Sequence, residues 1–339
     1  MRALRLHGVD DLRFEDVPEP RPAPGEVIVR VEACGVCGSD MHFLDGSART
    51  GHLPITLGHE IAGRVAASTD PSWGPGDPVV VRPGHSCGTC GRCREGRPNL
   101  CERSRVTGID ADGGLADLVT VPAATLVHRP ADLVPEAAAT AVDAGATAYH
   151  AVARRGSVAP GDAVVVIGIG GLGSYAVQIA RMLGATPVVA ADVRREALEA
   201  AVALGADETV LVEAGTSLGR RVKMLTEGGA DVALEFVGLP ATVDAAVKSL
   251  RPGGRAVAAG VGTGPLTTIP PVLWSNFEYS LNGSYGSLPG DVETVVAALA
   301  AGRLVPPPIR RAGLREAAAL IPAIARGTTR AGGRLVVTP

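Results

Sequence analysis

Residues 163–173 read AVVVIGIGGLG, and this stretch decides the fold of the second half of the chain. Its first five residues form an uninterrupted apolar run, which is typical of a strand buried on both faces of a parallel sheet. Glycines spaced Gly-x-Gly-x-x-Gly follow at once, and an apolar helix is predicted from there to Leu183. Another strand is predicted over 187–191. The order strand, glycine-rich turn, helix and strand indicates a βαβ unit.

The glycine spacing predicts a dinucleotide site in this unit. Gly168 permits the tight turn, Gly170 lets the backbone approach a pyrophosphate, and Gly173 lets helix and strand pack closely. The pyrophosphate would lie at the positive end of the helix, which Gly171 and Leu172 open. These five residues are the predicted cofactor-binding turn.

Asp192 ends the second strand, about 20 residues beyond the turn, where an acidic residue accepts both ribose hydroxyls of NAD. A carboxylate there repels the extra phosphate of NADP. Arg194 follows closely and would tolerate that phosphate, so the sequence favours NAD without excluding NADP.

Length and composition describe a globular protein of two domains. The chain has 339 residues, more than one hydrophobic core normally supports, and 46% of them are apolar. A net charge of −3 and an aromatic content of 3% argue against nucleic acid and anionic membranes as partners. The charge-free stretch over 163–180 contains the glycine turn and is not expected to span a bilayer. No apolar signal segment opens the sequence, so a cytoplasmic location is expected.

Four of the six cysteines lie in one short segment. Thiols at these spacings can point inward from a single loop and form a tetrahedral site with no open position, which is typical of a structural metal. Free thiols in a reducing compartment are the alternative, and the spacing favours metal. The sequence therefore predicts a structural zinc in a lobe over 85–103, bound by Cys87, Cys90, Cys93 and Cys101.

A second polar group opens with CGSDMH at 37–42 and continues with GHE at 58–60. Cysteine, histidine and acidic side chains bind zinc, and a catalytic zinc takes three protein ligands with a fourth position left open. Cys37 and His59 are predicted to be two of the three; a buried cysteine and an unrelated loop histidine are the alternative. Cys34 forms a Cys-x-x-Cys pair with Cys37 but follows a strand, so it is interpreted as a small buried apolar residue.

Taken together, the CGSDMH and GHE segments, the four-cysteine lobe and the central glycine fingerprint resemble the zinc-dependent medium-chain alcohol dehydrogenases over essentially the whole chain. The resemblance implies an α/β protein in which a Rossmann domain, with a doubly wound parallel sheet, is inserted in a β-rich GroES-like catalytic domain. The catalytic domain would span residues 1–146 and 287–339, and the NAD-binding domain 147–286. Two zinc ions per subunit are implied, one catalytic and one structural.

The resemblance also implies roles for individual residues. Cys37 and His59 match the first two zinc ligands, and Asp143 stands where the best-known liver enzymes have cysteine, as in members that resemble bacterial secondary-alcohol dehydrogenases. The alternative for Asp143 is a helix N-cap. Glu60 is either a transient fourth ligand or a neighbour of the ligands. Asp40 resembles the family's carboxylate that holds a ligating imidazole.

Proton transfer and cofactor contact are implied in the same way. Ser39 would take the alcohol proton, and His42 would pass it to solvent, unless His42 is an ordinary surface histidine. Arg334 resembles the C-terminal arginine that meets the cofactor pyrophosphate.

The predicted function is hydride transfer between a secondary alcohol or ketone and NAD(H). A polyol or sugar-alcohol dehydrogenase is the runner-up, since Arg82 and His85 would suit a polar substrate or merely flank the lobe. A zinc-free quinone or enoyl reductase is disfavoured by the intact zinc-ligand sets, and a non-catalytic sensor would leave the proton relay idle. A homo-oligomer, dimer or tetramer, is expected through an edge strand near Leu281.

Overall fold

The computed structural model describes residues 1–262, 264–266, 269–329 and 333–339. The chain divides into two compact units. Unit 1 comprises Met1–Ala146, Leu288–Gly302 and Pro306–Pro339, and unit 2 comprises Thr147–Ser287 and Arg303–Val305. Unit 2 is thus inserted in the sequence of unit 1.

The first stretch of unit 1 is mostly β-structure, as its short apolar runs and Pro- and Gly-rich connections predict. Strands β1 to β10 are, in chain order, Arg2–Gly8, Asp11–Asp16, Glu26–Gly35, Ile55–Thr56, Glu60–Ser68, Pro78–Val81, Gly84–His85, Arg105–Val106, Leu118–Pro122 and Leu126–His128. Helices α1 to α3 are Gly38–Leu44, Gly91–Arg94 and Pro135–Thr140, and 3₁₀ turns span Pro98–Leu100 and Ala123–Thr125. Where the chain passes from unit 1 into unit 2, a short helix α4, Ala146–Tyr149, lies between two π-helical segments, Ala141–Gly145 and His150–Arg155.

Unit 2 alternates strands and helices. Strands β11 to β16 are Val164–Ile167, Val188–Asp192, Glu208–Leu211, Ala230–Glu235, Leu250–Ala258 and Ser280–Gly283. Helices α5 to α9 are Gly171–Met182, Arg195–Ala203, Leu218–Leu225, Pro240–Lys248 and Pro271–Phe277. The chain then returns to unit 1 with α10 (Pro289–Ala300), β17 (Ile309–Gly313), α11 (Leu314–Ala325) and β18 (Arg334–Thr338).

The main sheet of unit 1 has seven strands, ordered β10-β6-β5-β3-β18-β17, with β9 also paired to β3. The closing strand β18 returns to this sheet, where Val337 pairs with Cys34 of β3. A core of buried aliphatic residues from these strands and α11 supports the sheet. Cys34 is fully buried within it, as interpreted from the sequence.

The sheet of unit 2 is parallel and ordered β13-β12-β11-β14-β15-β16. This is the Rossmann order, in which the chain reverses direction across the sheet between the first and fourth strands. All four residues of β11 are buried, because helices cover both faces of the sheet. The ligand crevice of such sheets lies outside the carboxyl ends of the strands, where the glycine turn follows β11.

Candidate active site and metal centres

Ligand atoms from separate segments of unit 1 meet at one point. One atom from each of Cys37, His59, Glu60 and Asp143 lies within 4.8 Å of all the others. Oδ2 of Asp143 is 3.3 Å from Sγ of Cys37 and 3.5 Å from Nε2 of His59. Ligands bound at about 2.0–2.3 Å to one tetrahedral zinc are about 3.5 Å apart. The donor types and their separations therefore fit a zinc ion.

Three local features place these side chains. Cys37 precedes α1, and its N–H donates to Oδ2 of Asp40 at 2.8 Å, which fixes the start of the helix. His59 follows Gly58, whose φ of +97° is favourable for glycine; an added Cβ there would lie 2.6 Å from Sγ of Cys34. Asp143 lies in the first π-helical segment, and such wide turns occur frequently at functional sites.

The charges around His59 favour a cation. Burial acts to lower the pKa of His59, but the carboxylates of Asp40 and Asp143 outweigh it and raise the pKa well above its usual value. For Asp143, burial acts to raise the pKa, but hydrogen bonding to His59 and the positive charges nearby hold it below its usual range. An environment that stabilises a protonated imidazole and an ionised carboxylate would also stabilise a divalent metal.

Asp40 stands behind His59. Its carboxyl group is fully buried, and Oδ1 lies 3.6 Å from Nδ1 of His59. Within the described residues, neither atom has a hydrogen-bond partner. Since Nε2 of His59 faces Asp143, the opposite ring nitrogen faces Asp40, as expected for a carboxylate that orients a metal-binding imidazole.

Glu60 is fully buried and forms an ion pair with Arg334. Burial raises the pKa of Glu60, and Arg334 opposes this rise. Burial also acts to lower the pKa of Arg334, but Glu60 and the other anionic groups of the cluster raise it above its usual range. The arginine predicted to contact pyrophosphate thus lies beside the metal-ligand cluster and donates from Nε to Oε2 of Glu60 at 3.3 Å.

Ser39 and His42, the predicted proton relay, are both in α1 and both partly exposed. Nδ1 of His42 lies 3.0 Å from Oγ of Ser47, just after the helix. Ser47 in turn donates its backbone N–H to Oδ1 of Asp45 at 2.8 Å. Ser47 could not be predicted from the sequence, because a serine in a turn after a helix is common.

The lobe forms a second cluster, confined to one loop. Its Sγ atoms lie 3.5 to 4.0 Å apart in four of the pairs. Four sulfurs about 2.3 Å from one tetrahedral zinc are about 3.8 Å apart. The thiols of Cys87, Cys90, Cys93 and Cys101 therefore fit a closed four-sulfur zinc site, and all are free of disulfides.

The glycine turn of unit 2 has the shape that its spacing predicts. Gly168 has a φ of +89°, and a Cβ on Gly173 would overlap the carbonyl oxygen of Gly168. Gly170 caps α5 with no side-chain hydrogen bond, and no atom within 4 Å would obstruct a Cβ there. Gly171 and Leu172 open the helix and are partly exposed. The open N-terminus of α5 is the kind of cradle that a pyrophosphate occupies.

Asp192 ends β12 beside this turn and is buried. Its Oδ2 accepts the N–H of Ile169 at 2.7 Å, and its Oδ1 accepts the N–H of Arg194 at 2.9 Å. The Arg194 side chain adds two more bonds to the same carboxylate. Burial acts to raise the pKa of Asp192, but these donors outweigh it and keep the pKa below its usual value.

Arg82, considered from the sequence as a contact for a polar substrate, is engaged inside unit 1. Its guanidinium donates to Oε1 of Glu293 at 3.0 Å and to the carbonyl oxygen of Ala124. The pairing of Glu60 with Arg334 was not predicted, because the sequence does not show that Glu60 is buried and therefore needs a partner.

A cluster of potential metal ligands in a β-rich unit and an open glycine turn in a Rossmann unit form the combination expected of a nucleotide-dependent metalloenzyme. Residues 23–131 match the family described as alcohol dehydrogenase GroES-like domain, and residues 171–301 match zinc-binding dehydrogenase. The chain therefore belongs to the zinc-dependent medium-chain alcohol dehydrogenase family, and the predicted fold class, a Rossmann domain within a GroES-like domain, is confirmed.

Individual relatives agree with this assignment. The chain is 34% identical over 332 residues to an NAD-dependent alcohol dehydrogenase from Sulfurisphaera tokodaii, covering 94% of each. It is 32% identical over 268 residues to a sorbitol dehydrogenase from Bacillus subtilis, covering 77% of this chain and 75% of the relative. A Sinorhizobium meliloti 1021 structure with bound NADP superposes with a TM-score of 0.91 at 31% identity, covering 100% of this chain and 99% of the other. No helix within the described ranges is long and apolar enough to cross a membrane.

Proposed function

We propose that the protein transfers hydride between a secondary alcohol or ketone and NAD(H), with zinc at the cluster of Cys37, His59 and Asp143. The observation that carries the proposal is the convergence of these three ligands, from separate segments, at separations that fit one tetrahedral ion. The similarity to an NAD-dependent alcohol dehydrogenase supports the reaction type and the cofactor. Unit 1 would be the catalytic domain and unit 2 the NAD-binding domain.

Zinc, when bound, supplies a Lewis acid that lowers the pKa of an alcohol oxygen. The thiolate of Cys37 and the carboxylate of Asp143 would together balance its charge, and neutral His59 would complete the set. Asp40 would keep the imidazole of His59 oriented. Glu60 lies within ligand distance and is also held by Arg334, so it would serve either as an exchangeable fourth ligand or as a neighbour of the bound ligands.

Ser39 and His42 would remove the proton that the substrate hydroxyl loses. Both are in α1, which begins directly after Cys37, so a substrate near the ligands would be near their helix. Ser39 would accept the proton, and His42, which is partly exposed, would release it to water.

Unit 2 would hold the cofactor. The five turn residues, Gly168, Gly170, Gly171, Leu172 and Gly173, leave the N-terminus of α5 open for the pyrophosphate. Asp192 would accept ribose hydroxyls. The four lobe cysteines would bind a second, structural zinc, giving two zinc ions per subunit.

A polyol or sugar-alcohol substrate is the second candidate, because the chain is similar to a sorbitol dehydrogenase. A polyol would need hydrogen-bonding groups near the zinc, and Glu60 or Arg334 would supply them.

The test measures zinc content and NAD⁺ reduction over a panel of secondary alcohols and polyols. The Asp143→Ala variant should lose one of two zinc ions and lower kcat/KM by roughly 10³-fold, the several kcal/mol that a metal supplies to such a step. The exposed Asp132→Ala, from the same part of unit 1, is the control and should keep both zinc ions and full activity.

Equal zinc content in the parent and in Asp143→Ala would contradict the catalytic cluster, and alkene or quinone reduction would then be the reaction to examine. A parent that prefers polyols over simple secondary alcohols would establish the second candidate instead.

Two further features belong to the same proposal. A homo-oligomer would form through strand Ser280–Gly283, which is at the edge of the unit 2 sheet and partly exposed. A monomeric mass in sedimentation would contradict it. A cytoplasmic location is proposed because the cysteines form no disulfides and four of them are arranged to bind a metal. Free thiols of this kind are typical of proteins in a reducing compartment.

A further inference from the structure

Arg194 fills the acceptor positions of Asp192. An ionised carboxylate offers about four lone-pair positions. Here the N–H of Ile169 and the N–H of Arg194 take two of them, at 2.7 and 2.9 Å. The guanidinium takes the other two as a fork, from Nε at 3.1 Å to Oδ1 and from Nη2 at 3.2 Å to Oδ2.

The same guanidinium also reaches the glycine turn. Its Nη2 donates to the carbonyl oxygen of Ile169 at 2.9 Å, while the N–H of Ile169 donates to Asp192. Arg194 therefore closes a ring of hydrogen bonds around the place where the adenosine ribose of a dinucleotide would lie. This step rests on the proposed function, namely that the turn binds a dinucleotide.

NAD cannot use Asp192 while this fork is in place. The ribose hydroxyls must donate to the carboxylate, and only the two side-chain bonds of Arg194 can be given up without distorting the backbone. The Arg194 side chain is 53% exposed, so its guanidinium can move into solvent at little cost. Arg194 thus competes with NAD, but weakly.

NADP gives the displaced guanidinium a new partner. Its 2′-phosphate would be repelled by Asp192 but would meet the planar fork of Arg194, which suits phosphate oxygens. Besides Asp192, Glu196 in the first turn of α6 is an acid near Arg194 that would oppose this contact. Arg195 is exposed, and no hydrogen bond or ion pair of its side chain is found within the described residues.

We propose that Arg194 sets the cofactor preference of this protein: it occupies Asp192 in the free chain and changes partner to the 2′-phosphate when NADP binds. The chain therefore accepts both NAD(H) and NADP(H), and Arg194 narrows the difference in affinity that Asp192 alone would create.

The test is the dissociation constant of NADH and of NADPH, measured by fluorescence titration at fixed ionic strength, which needs neither metal nor turnover. Arg194→Ala should weaken NADPH by about tenfold or more, as the loss of charge-assisted bonds to phosphate implies, and leave NADH unchanged or up to about fivefold tighter. Arg195→Ala, which removes the same charge one residue away, is the matched control and should weaken both cofactors slightly and equally.

The variant Arg194→Lys distinguishes a specific loss of the phosphate contact from a general disturbance of the glycine turn. It keeps the charge but loses the fork, so NADPH affinity should fall between those of the parent and Arg194→Ala. Equal weakening of NADH and NADPH in Arg194→Ala, beyond that in Arg195→Ala, would overturn the proposal and leave Arg194 a structural residue. A parent that binds NADH but not NADPH would overturn it too. Binding of neither cofactor by the parent would instead contradict the proposed function, and this inference with it.

Discussion

The two metal-ligand clusters of unit 1 are built in opposite ways. The four cysteines of the lobe come from one loop, and their sulfur atoms mainly contact one another. The other cluster joins residues as far apart as Cys37 and Asp143, 106 positions along the chain, and surrounds them with the fully buried acids Asp40 and Glu60. A local cluster needs only its own loop, whereas a long-range cluster requires the whole fold and accumulates buried charge that must be balanced.

The largest difference between the two clusters is expected from Cys101→Ser in the lobe, which should affect stability and zinc content but not activity. Loss of one thiolate should release one zinc and lower the unfolding temperature by about 5 °C or more, because metal binding and local folding are coupled in such loops. At low temperature kcat/KM should stay within roughly threefold of the parent, since no lobe residue belongs to the other cluster. Zinc analysis, calorimetry and kinetics measure this; activity lost in proportion to zinc would mean that the clusters are not independent.

A smaller effect is expected from Gly35→Ala in β3. A Cβ at this position would overlap the Glu60 carboxylate and displace it from Arg334. The altered contact should lower activity or metal affinity by about 10–100-fold, as changes next to ligands do. Gly91→Ala in the lobe has no atom within 4 Å of the added Cβ and is the matched control. Equal activity and equal metal affinity in the two variants would show that neither property depends on the position of the Glu60 carboxylate.

A smaller effect still is expected from Ser47→Ala. The variant removes the hydroxyl beside Nδ1 of His42, and one hydrogen bond of this kind corresponds to about 2–10-fold in kcat/KM. The solvent deuterium isotope effect should increase, because proton release would limit the rate more. Ser72→Ala, in an exposed turn of the same unit, is the control. An unchanged isotope effect would argue that His42 is an ordinary surface histidine.

The smallest effect is expected in the number of protons that the lobe releases when it binds zinc. The backbone N–H of Thr89 helps lower the pKa of Cys87 to about 5, whereas partial burial and then the Cys90 thiol raise the pKa of Cys93 to about 11. Cys93 is therefore the thiol that holds its proton more strongly than Cys87, and zinc binding at pH 7 should release that proton. Calorimetric titration of zinc into the chelator-treated protein, in buffers of different ionisation enthalpy, should show this release; no dependence on the buffer would contradict it.

The same contrast explains what the sequence could predict. The metal site of the lobe could be predicted because its four cysteines lie close together in the sequence at a characteristic spacing. The dinucleotide turn could be predicted because the strand, the turn, the helix and Asp192 follow one another in the sequence. Both are local patterns. Cys37 and His59 were candidates by residue type, but Asp143 was proposed through the family resemblance, since no spacing connects it to them.

Other contacts lay outside sequence reasoning for a physical reason. The partner of Glu60 is Arg334, on the strand that pairs with β3, and only the strand order brings the two together. The π-helical turn around Asp143 depends on packing, because its residues Ala141–Gly145 are compatible with an ordinary helix. The sequence shows that Arg194 is close to Asp192 along the chain. It does not show that the guanidinium donates two hydrogen bonds to the Asp192 carboxylate.

The return of β18 to the first sheet has a consequence for the order in which the protein matures. Glu60 and Arg334 are 274 positions apart, and every residue of the inserted Rossmann unit leaves the ribosome between them. The inserted unit can therefore fold while its host still lacks β17 and β18, since domains fold as units during synthesis. The lobe is complete once Cys101 has emerged and can take its metal early, whereas the long-range cluster gains its neighbour Arg334 only after β17 and α11 have been synthesised.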